Sequence, residues 1–299
     1  MWTVSRWTKS KSARSTAKPV NTRFAPSPTG PLHMGSLIMA LASYLYVKQR
    51  GGEWHVRIDD IDPPRALAGA EEAILSALQA HGLHPDQPVE YQSKHMARYE
   101  AAVEHLSSQS FYCQCSRRSL REFAVYPGTC RHQTDPKDDA AIRLDVGQGI
   151  LAYEDLFLGE TEVAVESELG AFIIRRRDGL VAYNLATAVD DTKFSLVIRG
   201  QDLTPVTPAQ ILLMQTLDLA VPRYAHLPVL CYADGVKLSK QTHAPALNNQ
   251  LASQNLRHAF TYLGFEPPDS IHPSELLTWG VANWSLEKVP AQLPPFTPA

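Results

Sequence analysis

Arg23-Phe24-Ala25-Pro26-Ser27-Pro28-Thr29-Gly30-Pro31-Leu32-His33-Met34-Gly35 is the stretch on which the reading of this chain turns. Just before and into it, Thr22 to Ala25 has the character of a short strand; beyond it, about Gly35 to Lys48 carries apolar residues at helical spacing. The Pro/Ser/Gly run in between is turn chemistry. Strand, tight turn and helix together open a parallel α/β sheet. In such sheets ligands gather outside the carboxyl ends of the strands, where a helix N-terminus offers unpaired N–H groups and a positive dipole end to phosphates. His33 and Gly35 fall at that spot. A His with a Gly two residues on is commonplace, so His33 in isolation reads as a turn or core residue; the whole run is the stronger signal.

Working outward, Trp54 to Ile58 reads as a second strand that ends in Asp59, Asp60 and Asp62, and helices follow at about 67–81 and 93–109. This alternation predicts a doubly wound, Rossmann-type parallel sheet. Residues 111–189 break the rhythm with a cysteine cluster and short strands at Ala141 to Asp145, Phe172 to Arg176 and Val181 to Tyr183, which predicts an inserted subdomain. The α/β rhythm returns over 190–240, with a strand at Ser195 to Arg199, a helix at about Thr207 to Leu217 and a strand at Leu227 to Leu230. Together 21–110 and 190–240 would form the catalytic domain. Residues 241–299 read as helical to about Trp284, with a Pro-rich end.

Composition excludes several classes. The chain has 299 residues, 44% hydrophobic and 20% charged, with mean hydropathy −0.21, which suits a globular protein with a large core. No run of 18 apolar residues exists, so no helix is expected to span a bilayer. Four cysteines, three of them clustered, do not make a secreted disulfide framework, so a reducing, cytoplasmic compartment is expected. Of 28 basic and 31 acidic groups, Arg6, Lys9, Lys11, Arg14 and Lys18 sit in residues 1–20 with no acid, leaving a net −8 in the rest. That tail reads as a disordered, solvated segment, with a targeting peptide or an RNA-contacting arm as the alternatives. For an acidic body, RNA contact must be local. Arg175, Arg176 and Arg177 are one candidate for it, or a solvated strand end.

A second motif, Lys237-Leu238-Ser239-Lys240-Gln241, follows the last expected strand and Asp234-Gly235. In isolation it is a solvated loop. Paired with the first motif it becomes a loop able to bring ammonium charge to a nucleotide's phosphates. At this point the chain resembles class I aminoacyl-tRNA synthetases: Pro31 to Gly35 ends a run similar to their HIGH signature, and Lys237 to Gln241 resembles their KMSKS loop. Arg23 to Gly30 is similar to the glutamate-specific branch, and Arg57 to Asp62, Tyr183 to Ala186 and Ile198 to Leu203 match in order, so that the resemblance covers about residues 21–245.

The resemblance implies activation of L-glutamate by ATP and Mg2+, with His33 and Lys240 as catalytic residues and His33, Gly35, Lys237 and Lys240 binding ATP. Glutamate would be held by Arg23, Phe24, Ala25, Pro26, Ser27, Asp59, Tyr183 and Arg199. Arginines at strand ends suit bidentate carboxylate recognition. Asp59 would hold the α-ammonium group at a position where the family more often carries Glu. The segment Thr192 to Ile198 before Arg199 is shorter than in relatives.

Cys113, Cys115 and Cys130, within 18 residues, suggest one structural Zn2+, which prefers four tetrahedral N/S ligands; free core cysteines are the alternative. Ligand chemistry alone favours His132 as the fourth ligand. The resemblance, which extends to a Cys-x-Cys then Tyr-x3-Cys pattern, implies Tyr126. Cys231, in an apolar strand, reads as core.

Beyond Gln241 only 58 residues remain, too few for the usual helical anticodon-binding domain. The expected subfamily is therefore the short paralogues that transfer glutamate to queuosine in tRNA(Asp), with no membrane partner and a monomeric chain. A truncated glutamyl-tRNA synthetase charging tRNA(Glu), a catalytically inactive RNA-binding relative and a small-molecule nucleotidyltransferase are the competing readings.

Overall fold

A computed structural model describes residues 20–239, 244–269 and 272–297. Its first unit is β1 (Asn21–Phe24), α1 (Met34–Lys48) and β2 (Glu53–Ile58), with β1 and β2 parallel and Thr22 opposite Trp54. α1 is apolar almost all round because it is covered on two sides. Leu37, Ile38, Leu41 and Leu45 are fully buried between the sheet and the C-terminal helices α6 (Ala252–Tyr262) and α7 (Pro273–Asn283). α2 (Ala70–Ala80) begins only after Gly69 takes a left-handed φ of 75°. A two-residue β3 (Glu90–Tyr91) pairs with the end of β2, and α3 (Met96–His105) follows.

Residues 110–175 supply strands to two sheets. β4 (Ser110–Cys113), β5 (Ala141–Leu144) and β8 (Phe172–Arg175) form an antiparallel sheet. The hairpin of β6 (Ile150–Asp155) and β7 (Gly159–Ala164), which hydropathy alone did not reveal, joins the catalytic strands β9 (Leu196–Gly200) and β10 (Arg223–Leu227) in the order β7-β6-β10-β9. α4 (Tyr183–Asp191) precedes β9, and α5 (Thr207–Thr216) connects β9 to its parallel neighbour β10.

Two expected strands are corrected. Val181 to Tyr183 makes a single bridge, Val181 to Arg175, and Tyr183 starts α4. Two β-formers in three residues do not outweigh the helix that follows. The last strand lies at Arg223–Leu227, ahead of the expected Leu227 to Leu230, because Pro228 has no N–H to continue the ladder.

β1 lies beside β9. Asn21 and Ser195 stitch them: the Asn21 N–H donates to Ser195 Oγ at 3.0 Å, and the Ser195 N–H donates to Asn21 Oδ1 at 2.8 Å. From this seam the strands run outward as β1-β2-β3 one way and β9-β10 the other. The seam is thus a topological switch point, with two strand carboxyl ends diverging over a crevice. Among the described residues no helix is long and apolar enough to cross a membrane.

The α1–α6–α7 packing leaves no room at Gly280, where a Cβ would lie 2.4 Å from the Phe260 ring and 2.9 Å from Leu45. Gly280→Ala is expected to cost about 1–3 kcal/mol of stability by overpacking, read as a lower urea midpoint at unchanged slope.

Candidate active site

A cavity of about 660 Å3 opens at the switch point. Arg23, Phe24, Ala25, Pro26 and Ser27 enter it from the end of β1 and the following turn, His33 and Gly35 from the start of α1, Tyr183 from α4, Arg199 from β9, and Lys237 from the loop after β10. Asp59 instead faces a smaller adjoining cavity of about 210 Å3, which shares Ser27, Thr29 and Tyr183 with the first. Lys240 lies outside the described residues.

Local chemistry explains the α1 end of the site. His33 is the N-cap: its Nδ1 accepts the Ser36 N–H at 3.3 Å, in place of the usual short polar side chain. Gly35 is small because a Cβ there would press to 3.2 Å on the His33 ring. The N-terminal N–H groups of α1 therefore meet the cavity beside an imidazole.

The charged floor is a buried network that the sequence reading missed. Arg23 donates Nε and Nη2 to Asp191 at 2.9 and 2.8 Å, and Arg57 Nη1 donates to the same carboxylate at 2.7 Å. Arg57 also grips Asp59, with Nε to Oδ1 at 2.6 Å and Nη2 to Oδ2 at 3.3 Å. Asp190 receives Tyr99 at 2.6 Å and Gln92 at 3.1 Å and lies 2.9 Å from His95. Burial alone would raise both Asp191 and Asp59. For Asp191 the guanidinium groups of Arg23 and Arg57 win, and its carboxyl lies well below the usual range; for Asp59 burial outweighs Arg57, and its carboxyl is raised. The only hint in the sequence was the pairing of basic and acidic residues at strand and helix ends.

The two arginines expected to clamp carboxylates are therefore not equivalent. Beyond its Asp191 pairing Arg23 keeps both Nη1 protons and the second Nη2 proton. Arg199 is 4% exposed and is held wholly by neutral acceptors: Nη1 on Gln210 at 2.8 Å, Nη2 on Thr207 at 2.6 Å and Nε on His226 Nε2 at 3.1 Å. An arginine N–H always donates, so His226 Nε2 must accept. The ring proton then sits on Nδ1, which donates to Asp155 at 2.6 Å, itself fixed by the N–H groups of Phe157 and Leu158. Burial also lowers the His226 pKa and keeps the ring neutral. No carboxylate among the described residues lies within 4 Å of Arg199, so its charge is left for an anionic ligand.

The cysteine cluster lies in the segment between β4 and β5. Cys113, Cys115 and Cys130 bring their sulfurs within 4.8 Å of one another. The Tyr126 hydroxyl lies 3.4 Å from the Cys113 sulfur and 3.9 Å from that of Cys115, and accepts the Cys130 N–H at 2.9 Å. Bonds of about 2.0–2.3 Å to a tetrahedral metal imply ligand–ligand edges of roughly 3.3–3.8 Å, so these spacings fit a closed site. Burial pushes the Cys113 thiol up, but hydrogen bonding to Tyr126 and Arg143 outweighs it and brings the thiol to about 7. His132 is exposed and outside the group. Cys231 is half-buried, in a bridge to Lys237.

A family described as tRNA synthetases class I (E and Q), catalytic domain, matches residues 19–263. A protein of Chromobacterium violaceum named glutamyl-Q tRNA(Asp) synthetase is 44% identical over 288 residues, covering 91% of this chain and 97% of that one. One of the same name from Pseudomonas aeruginosa is 43% identical, covering 90% and 94%. Among solved structures, a glutamate tRNA ligase of Elizabethkingia meningosepticum superposes with a TM-score of 0.78 at 24% identity, covering 94% of this chain and 67% of that one, a likeness of fold.

Asp191→Asn should cost about 3–5 kcal/mol, because two buried guanidinium groups lose their shared anion. Asp191 titrates below its unfolded value, so its contribution is complete above about pH 5 and is lost as pH falls through and below about 3.9. Melting scans from pH 7 to 3 should show a steeper loss for the parent protein than for Asp191→Asn.

Proposed function

Because the chain belongs to the glutamyl-Q tRNA(Asp) synthetases, within the class I (E and Q) synthetases, we propose that it activates glutamate with ATP and transfers it to queuosine in tRNA(Asp). The observation that carries this reading is Arg199, a buried cation ringed by neutral acceptors in the same cavity as the α1 N-terminus. It suits an amino acid whose distal end is a carboxylate.

In this reading Arg199 and the free Nη1 edge of Arg23 hold the glutamate carboxylates, with Ser27 and Tyr183 adding hydrogen bonds and Phe24, Ala25 and Pro26 forming the wall. Asp59, turned towards the adjoining cavity by Arg57, faces the ammonium end. The α-carboxylate attacks the α-phosphorus of ATP, pyrophosphate leaves, and glutamyl-adenylate forms. Two anions must meet, so the protein contributes position and charge neutralisation. His33, Gly35 and the α1 N-terminus receive the phosphates on one side and Lys237 on the other, with Lys240 as the second lysine of this role; Mg2+ bound with ATP would supply further positive charge. A hydroxyl of the queuosine cyclopentene-diol then attacks the mixed anhydride, and AMP leaves. Residues 21–110 and 190–240 serve as the catalytic part in this scheme, 111–189 as the inserted subdomain with the zinc site and 241–299 as a stem-contact-like region with a Pro-rich end.

Cys113, Cys115, Cys130 and Tyr126 are the proposed Zn2+ ligands. A closed four-ligand site supplies folding energy and leaves no position for substrate. The position of the Tyr126 hydroxyl supports it over His132.

The purified protein should catalyse glutamate-dependent ATP–pyrophosphate exchange without tRNA and label queuosine-containing tRNA(Asp). Charging of tRNA(Glu) in place of tRNA(Asp) would overturn the assignment. Arg199→Ala should raise KM for glutamate about 10- to 150-fold, as expected for charged hydrogen bonds of about 1.5–3 kcal/mol, while KM for ATP changes little; Arg199→Lys should not restore it, since lysine lacks the planar fork. For the metal, Tyr126→Phe should lose zinc measured by atomic emission and His132→Ala should keep it. The reverse pattern would reassign the fourth ligand.

A further inference from the structure

Beyond residue 20 the chain has eight more acids than bases, and many basic side chains on the surface meet a carboxylate. The arginine run expected as an RNA contact behaves that way. Arg175 pairs with Glu100, Arg176 with Asp62 at 3.1 Å and Asp178 at 2.6 Å, and Arg177 with Asp139 at 3.7 Å. These cations are already neutralised. Arg177 has a further task, donating Nη2 to the Gln114 carbonyl at 2.6 Å, which ties β8 to the entry of the cysteine loop.

That loop carries a different set of arginines. Its first turns are Ser116-Arg117-Arg118-Ser119-Leu120-Arg121-Glu122-Phe123. Ser116 Oγ accepts the Ser119 N–H at 3.1 Å, the Leu120 N–H reaches the Ser116 carbonyl at 3.2 Å, and the Phe123 N–H reaches the Leu120 carbonyl at 3.1 Å. Only Leu120 is half-buried; Arg117, Arg118 and Arg121 are exposed and make no ion pair or hydrogen bond through their side chains among the described residues. Nowhere else among those residues do three such arginines fall within five positions. Beside them Phe123 is 53% exposed, an aromatic face in a polar loop.

The loop is also next to the site. Arg177 holds its base at Gln114, and the preceding Arg176 lines the smaller cavity, whose other walls include Ser27 and Tyr183 of the main one. Phosphodiester oxygens are the anions that a row of unpaired arginines at a catalytic mouth would neutralise, and an exposed aromatic ring can stack on an unpaired base. We infer that the turn Ser116 to Phe123 is the surface on which the tRNA backbone docks, with Arg117, Arg118 and Arg121 on phosphates and Phe123 against a loop base. This rests on the proposed function for the identity of the RNA, though not for the chemistry of the surface.

The test compares the parent protein with the Arg117→Gln/Arg118→Gln/Arg121→Gln triple variant, using unmodified and queuosine-containing tRNA(Asp) in filter binding from 50 to 200 mM salt. The triple variant should bind at least tenfold more weakly at the low-salt end. Its plot of log affinity against log salt should be shallower by about 2, since each lost phosphate contact removes roughly 0.7–0.9 from the slope. Zinc content and tRNA-independent pyrophosphate exchange should stay at parent levels, which separates loss of docking from loss of the fold. Phe123→Ala should weaken binding with the slope unchanged. Lys94→Gln/Arg98→Gln, two exposed basic residues elsewhere, should leave both unchanged. Unaltered affinity and slope in the triple variant would overturn the inference, as would an equal loss in the Lys94/Arg98 control, which would indicate diffuse attraction only. Absence of pyrophosphate exchange in the parent protein would instead count against the proposed function, and the binding measurements would still judge the surface.

Discussion

Two guanidinium groups share one buried carboxylate at the centre of this molecule, and the rest of the site is arranged around that fact. Asp191 on α4 receives Arg23 from β1 and Arg57 from β2. A buried ion is tolerated only when its partners are in place, so the three elements have one mutual arrangement. With it come the turn after β1, the start of α1 and the position of Tyr183 one helix-length before Asp191. The network is also why Asp59 looks sideways. Arg57 holds both of its oxygens, and the short side chain stays at the wall of the adjoining cavity instead of crossing to the main one.

The same accounting divides the two arginines that frame the cavity. Arg23 is largely neutralised inside the protein by Asp191. Arg199 is surrounded by neutral groups: an amide, a hydroxyl and an imidazole accept its N–H groups, and the Tyr224 ring lies 5.2 Å from its Cζ. Neutral acceptors orient a guanidinium without cancelling its charge, which is the arrangement electrostatic preorganisation requires. The protein thus holds a buried guanidinium with no carboxylate in direct contact, the nearest link to one being Asp155 on the far side of the His226 ring.

Much of this was legible in the sequence, for identifiable reasons. The β1 turn and α1 were visible because proline, glycine and helical apolar spacing act locally, and the cysteine spacing was visible because thiols are rare. The residues behind Arg199 were not. Asp155, Thr207, Gln210 and His226 are 27 to 44 positions apart from it or lie within an apolar strand and helix, and only the closure of the β6–β10–β9 sheet brings them together. Long-range polar contacts leave no periodic trace. The β6–β7 hairpin was missed because its outer strand is half-exposed and rich in glutamate and threonine, and the last strand was displaced because Leu227 to Leu230 is the more apolar stretch although Pro228 interrupts its ladder.

The tautomer of His226 has a consequence for how the enzyme meets its surroundings. Histidine is the side chain that ordinarily makes a protein responsive near neutrality. Here a second ring proton would have to point at the Nε–H of Arg199, so the imidazole is closed to protonation by its neighbour as well as by burial. The carboxylates of glutamate do not change charge near neutrality either. The positive charge of Arg199 is therefore not coupled to a neighbouring imidazole's proton, and the dipoles that orient it keep one arrangement as acidity drifts around neutrality.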